Sequence, residues 1–128
     1  MSGGARTAGL RATAALAALV GIGVFVQVYL IASYIFGADA LDAHKAVGGI
    51  THLVEVLTFI AALVGWWKDW KAVGLAFLLP LVGTVQVAFS DGEKWVGGLH
   101  GLLALFVLVL AAVIHVRAMR AARPGLAG

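Results

Sequence analysis

One short phrase occurs twice in the chain, as Lys45-x-Val47-Gly48-Gly49-Ile50-x-His52 and as Lys94-x-Val96-Gly97-Gly98-Leu99-His100, and each copy ends on a histidine inside an apolar segment. An ionisable group at membrane depth is costly to insert, which makes it a functional candidate by default. Two neutral imidazoles at one depth are the donor set a haem iron takes from opposite faces. On this reading His52 and His100 are the axial metal ligands, Gly48, Gly49, Gly97 and Gly98 leave room for a porphyrin, and Lys45 and Lys94 meet its propionates. The cofactor is then non-covalent haem b, because a chain without cysteine excludes covalent attachment through C-x-x-C-H, as well as iron–sulfur and thiol chemistry. The competing reading makes the histidines interhelical glue, with glycines that allow close packing.

Other polar residues belong to the same region. His44 precedes the first copy, and it replaces His52 opposite His100 if its helix starts early; it could equally be an entry group for protons or a quinol. Glu55, one turn past His52, is the sole acid well inside an apolar segment, so it is protonated or paired. As a neighbour of the ligands it could fix an imidazole tautomer or relay a proton. Gln27 and Gln86 sit in a second echo, Val26-Gln27-Val28 and Val85-Gln86-Val87, and read as bundle glue before ligands. His115, next to Arg117, reads as an interfacial residue apart from this cluster.

These residues need elements to position them. The 128 residues are 62% hydrophobic and 12% charged, with a mean hydropathy of +1.04, more apolar than a soluble domain of this length can hide. Four segments, at about 10–36, 44–67, 71–90 and 94–117, approach the roughly 20 residues that cross a hydrocarbon core. The connections are short, so neighbouring helices run antiparallel. The expected fold is all-α: a transmembrane, up-down-up-down four-helix bundle made of two repeated helical hairpins, filling residues 1–128 as a single membrane domain. Pro80 predicts a kink in the third helix.

Helical geometry sharpens the placement. At about 1.5 Å per residue, His52 lies about 10 Å along its helix from Lys45, and His100 about 9 Å from Lys94. Helices 2 and 4 then face each other across the diagonal, where a flat cofactor fits. His44, His52 and Glu55 fall within about 80° on helix 2, with Gly48 between them. His115 lies about 22 Å beyond His100.

Charge sets the orientation. Arg6, Arg11, Lys68, Lys71, Arg117, Arg120 and Arg123 collect on one side with the single acid Asp69, while Asp39, Asp42, Asp91 and Glu93 collect on the other with Lys45 and Lys94. By the positive-inside rule both termini are cytoplasmic. The pI near 9.7 therefore reflects membrane flanks and implies no nucleic-acid partner. Trp66, Trp67 and Trp70 form an expected inner aromatic belt, with Trp95 at the outer interface. Ala38-Asp39-Ala40 has the look of a signal-peptide cleavage site, but the preceding apolar run is longer than an h-region of about 7 to 15 residues.

The arrangement resembles a minimal membrane b-type cytochrome, and the paired hairpins with histidines on helices 2 and 4 are similar to one half of the haem A synthase bundle. The order Gln27, Phe36, Asp42-x-His44-x-x-x-Gly48, Gln86 and Leu99-His100 also resembles a family of small, uncharacterised four-helix membrane proteins of bacteria. The first resemblance implies haem on helices 2 and 4. It does not imply that synthase's chemistry, since Glu55 is not beside a helix-start histidine and the chain has one half only. No nucleotide loop, metalloprotease motif or nucleophile constellation is present. The sequence thus predicts an electron carrier rather than a catalyst, in a bacterial plasma membrane, with a membrane redox partner or quinone. Its rivals are a packing protein that joins a larger complex or copies of itself, and a small proton-coupled transporter component using Glu55, His44 and the glutamines.

Overall fold

A computed structural model describes residues 2–90 and 92–123. Asp91, counted above among the acids of one side, lies outside the described residues. The described chain is all-helical: α1 spans Gly3–Ile35, α2 Leu41–Gly65, α3 Trp70–Ala88 and α4 Lys94–Ala121. All four are long and apolar enough to cross a membrane. At 33 residues α1 extends about 50 Å, well past a hydrocarbon core of about 30 Å.

Local chemistry explains where the helices start. The Ser2 hydroxyl accepts from the Ala5 amide at 3.4 Å, and the Asp69 carboxylate accepts from the Ala72 amide at 3.1 Å, each meeting one of the free N–H groups of a first turn. Asp42 stands in the first turn of α2, where the helix dipole favours an acid. Helix α2 therefore starts at Leu41, ahead of the apolar run that opens at Val47, and takes His44 into its first turn. Gly37, with φ of 95°, turns the chain between α1 and α2 in a conformation that favours glycine. Pro80 sits inside α3, which continues through it.

Helix α1 packs on α2 and α4, and α3 packs on the same two, so α2 and α4 face each other diagonally as expected from the short connections. The buried core is unevenly placed. It runs from Leu10 to Val24 on α1, Ala62 to Trp66 on α2, Ala72 to Leu79 on α3 and Val107 to Ala118 on α4. Most of these lie in the half of the bundle that carries both helix termini of the chain and the α2–α3 turn, called here the near end, while Val24 reaches the far half. There α1 and α2 touch backbone to backbone: a Cβ on Gly9 would stand 2.6 Å from the Gly65 amide nitrogen. Small residues let apolar helices approach this closely. Trp66 turns into this core at 5% exposure, so it leaves the expected aromatic belt, while Trp67, Trp70 and Trp95 stay exposed.

At the far end, which holds the α1–α2 and α3–α4 turns, the helices enclose a cavity instead of a core.

Candidate functional site

The cavity measures about 580 Å³ and is lined by all four helices, with Gln27 from α1, His44 and His52 from α2, Gln86 from α3 and His100 from α4 among its walls. Thr13, Thr51, Thr58 and Thr84 spend their hydroxyls on carbonyls one turn back in their own helices. Among the described residues no buried side-chain nitrogen or oxygen lacks a partner.

The imidazole that meets His100 belongs to His44. Their ring centroids are 6.2 Å apart and the ring planes cross at 69°. His44 Nδ1 lies 3.1 Å from the backbone carbonyl of Gln27, and His100 Nδ1 lies 3.0 Å from the backbone carbonyl of Gln86. The two hairpins therefore repeat one bond, from a histidine near the start of the second helix to a glutamine near the end of the first. A carbonyl can only accept, so both Nδ1 atoms carry the hydrogen, and in a neutral ring Nε2 then keeps the lone pair.

This changes the partner that the repeated phrase assigns to His100. His52 stands seven residues after Lys45, whereas His100 stands six after Lys94. One residue is about 100° on a helix. His52 instead turns toward α3, with Nδ1 2.7 Å from Glu55 Oε2 and Nε2 3.4 Å from Thr84 Oγ1. Glu55 is buried at 2% exposure, paired as its depth requires. Space for its carboxylate comes from Gly83, where any Cβ would run into it.

The glycines divide into two kinds. Gly48 and Gly97, expected to clear a porphyrin, have other neighbours: a Cβ on Gly48 would lie 2.6 Å from the Gln27 amide, and one on Gly97 would strike the Gly92 carbonyl in the α3–α4 turn. Gly49, Gly98 and Gly101 line the cavity with nothing within 4 Å of an added Cβ. They leave its volume open. Turned to satisfy both of its ends, the Gln27 amide accepts from the Gly48 N–H at 2.7 Å and donates to the His44 carbonyl at 3.2 Å, its nitrogen lying against the His44 ring 2.7 Å from Nδ1 and 3.2 Å from Nε2. It is the glue expected of it, while the Gln86 side chain lines the cavity. Lys45 lines the cavity as well, whereas Lys94, which opens α4 with φ of 55°, is not among its lining residues.

His115 makes the same type of bond without a facing partner: its Nδ1 lies 2.8 Å from the Ala14 carbonyl and straps α4 to α1 at the near end. It is half-buried. Thr84, Gly83 and Gly101 are site residues that the sequence pattern did not single out. Only Gly101, adjacent to His100, carried a signal. Among the described residues no three or more His, Asp or Glu side chains converge as a metal-binding group. The donor set is a pair of imidazoles. Comparison with protein-family models, with curated proteins and with solved structures finds no match for this chain.

Proposed function

We propose that the bundle binds one b-type haem between His44 and His100 and serves as a membrane electron carrier. The observation that carries this reading is the pair of imidazoles 6.2 Å apart, each with Nδ1 against a helix carbonyl and His44 with the Gln27 amide nitrogen beside its ring. Metal-bound histidines characteristically donate their other ring nitrogen to a carbonyl or carboxylate, which fixes the tautomer and raises ligand basicity.

The spacing fits the group. With about 2 Å from each imidazole nitrogen to a metal and roughly 1.2 Å more to each ring centre, two rings on opposite sides of one ion have centres about 6.4 Å apart. The centroid separation of 6.2 Å is close to that distance. A two-histidine set also suits an ion whose remaining positions a macrocycle fills. The cavity falls within the roughly 300–1,000 Å³ of cofactor sites, and Gly49, Gly98 and Gly101 widen it beside the rings. Lys45 at its wall offers a cation to propionate carboxylates.

When bound, haem supplies one-electron redox chemistry at a potential tuned by its axial ligands and burial. The chain's own residues do the rest. His44 and His100 ligate, the carbonyls of Gln27 and Gln86 hold the rings in place, and Val24, Val28, Ile31 and Leu105 keep the cavity wall apolar. The excess of Lys and Arg at the near end supports a reading in which that end is cytoplasmic and the redox site lies in the outer half of a bacterial plasma membrane. The electron partner is then a membrane protein or a quinone reached from that side.

The test is an absorption spectrum of detergent-purified protein from haem-replete cells, before and after dithionite. A Soret band with a sharpened reduced α band is expected. Colourless protein would end this reading.

A further inference from the structure

Eight residues past His44, about 12 Å deeper along α2, a second polar group borders the same cavity. His52 bridges Glu55 through Nδ1 at 2.7 Å and Thr84 through Nε2 at 3.4 Å. The His52 side chain is 31% exposed, while that of Glu55 is 3% exposed. The Thr84 hydroxyl donates to the Pro80 carbonyl at 2.8 Å, so toward His52 it can only accept. Nε2 therefore carries a hydrogen in this arrangement.

That leaves one proton between Nδ1 and Oε2. Placed on Glu55, it gives a neutral acid facing a neutral imidazole; placed on His52, it gives a carboxylate facing an imidazolium. The pair is neutral in both forms. Loss of one proton leaves the Glu55 carboxylate facing a neutral His52, a net charge of −1. The pair thus changes charge by exchanging a single proton, and His52 is its more exposed member. Among the described residues the other titratable groups on the cavity are His44 and Lys45 on α2 and His100 on α4, while α1 and α3 bring none.

We propose that His52 and Glu55 form a proton-binding site that passes from its deprotonated form, net charge −1, to the proton-loaded form seen here when an electron is delivered to the cavity by a membrane redox partner, with Thr84 holding the imidazole toward α3. The coupling rests on the electron-carrier reading above. An added electron is an uncompensated negative charge in a low-dielectric interior, and uptake of one proton by the pair returns the net charge to its former value.

The experiment is a redox titration of the haem-loaded protein in detergent from about pH 6 to 8. If one proton accompanies each electron, a tenfold change in proton concentration moves the midpoint by about 59 mV, so the wild-type midpoint falls with pH at up to that slope. Glu55→Gln keeps the shape without an exchangeable carboxyl, and both it and His52→Gln are expected to flatten the slope. A flat wild-type profile, or equal slopes in all three proteins, would overturn the proposal. Colourless protein overturns the electron-carrier reading and the coupling with it. Infrared titration of the ligand-free protein then decides the proton site: a carboxyl band lost in Glu55→Gln and moving with pH supports it, and a band that does not titrate rejects it.

Discussion

His44 and His100 hold their rings 6.2 Å apart across the diagonal of the bundle, each oriented by a bond to the main-chain carbonyl of the glutamine that precedes it, Gln27 or Gln86. Because both acceptors are backbone atoms, Gln86→Ala leaves the His100 bond in place, whereas His44→Ala or His100→Ala removes a donor outright. The expected outcome is loss of the Soret and reduced α bands in the two histidine variants and their retention in Gln86→Ala and His52→Ala. Spectra of the purified proteins at equal concentration check it. Bands lost in His52→Ala but kept in His44→Ala would return the ligand role to the position that the repeated phrase favours.

Gly101 allows stability and binding to be separated. It lies inside α4, lines the cavity beside His100, and has nothing within 4 Å of an added Cβ. A leucine there fills space that a macrocycle needs, while replacing glycine in a helix interior gains about 0.5–1 kcal/mol of helix propensity. Gly101→Leu should therefore raise the thermal midpoint of the ligand-free protein and abolish haem retention. Unfolding by circular dichroism in detergent and haem content per chain give the two readouts. Unchanged haem content in the stabilised variant would show that the cavity is not the binding site.

The sequence made the fold legible because the bilayer imposes it: four apolar runs joined by short connections admit few arrangements other than an antiparallel bundle. Their polar ends were less legible. Helix α2 begins at Leu41 because Asp42 and the interfacial first turn tolerate charge, yet the hydropathy pattern points to Val47. Within α2, His44 is the histidine that meets His100 across the diagonal. The repeated phrase drew His52 into alignment with His100, but its extra residue turns the side chain toward Thr84. Main-chain acceptors such as the Gln27 carbonyl leave no trace in side-chain identity, and Trp66 turned inward because its position after Gly65 sets it against the near-end core.

The near-end core and the far-end cavity are built from the same four helices. Gly9 and Gly65 bring α1 and α2 to backbone contact, with a Cβ on Gly65 only 2.8 Å from the Leu10 amide nitrogen. Neither backbone can yield as a flexible side chain would. Gly65→Ala and Gly9→Ala should each destabilise the bundle by about 1–3 kcal/mol, the usual cost of overpacking. Thermal melts in detergent measure this, with Gly74→Ala as the control, since an added Cβ there meets nothing within 4 Å. Equal melting of all three variants would mean that the α1–α2 contact does not hold the near end together.

Orientation can be tested directly because the sequence has no cysteine to interfere. Ser2 and Ser90 are both exposed, at opposite ends of the bundle: Ser2 caps α1 at the near end, and Ser90 follows α3 at the far end. Lys and Arg retained on the cytoplasmic side predict that Ser90→Cys faces outward and Ser2→Cys inward. A membrane-impermeant maleimide applied to intact spheroplasts should label Ser90→Cys at once and Ser2→Cys only after permeabilisation. The reverse pattern would move the His44–His100 site to the cytoplasmic half and change which redox partners can reach it. Labelling of both variants before permeabilisation would contradict a chain that crosses the membrane an odd number of times between those two positions.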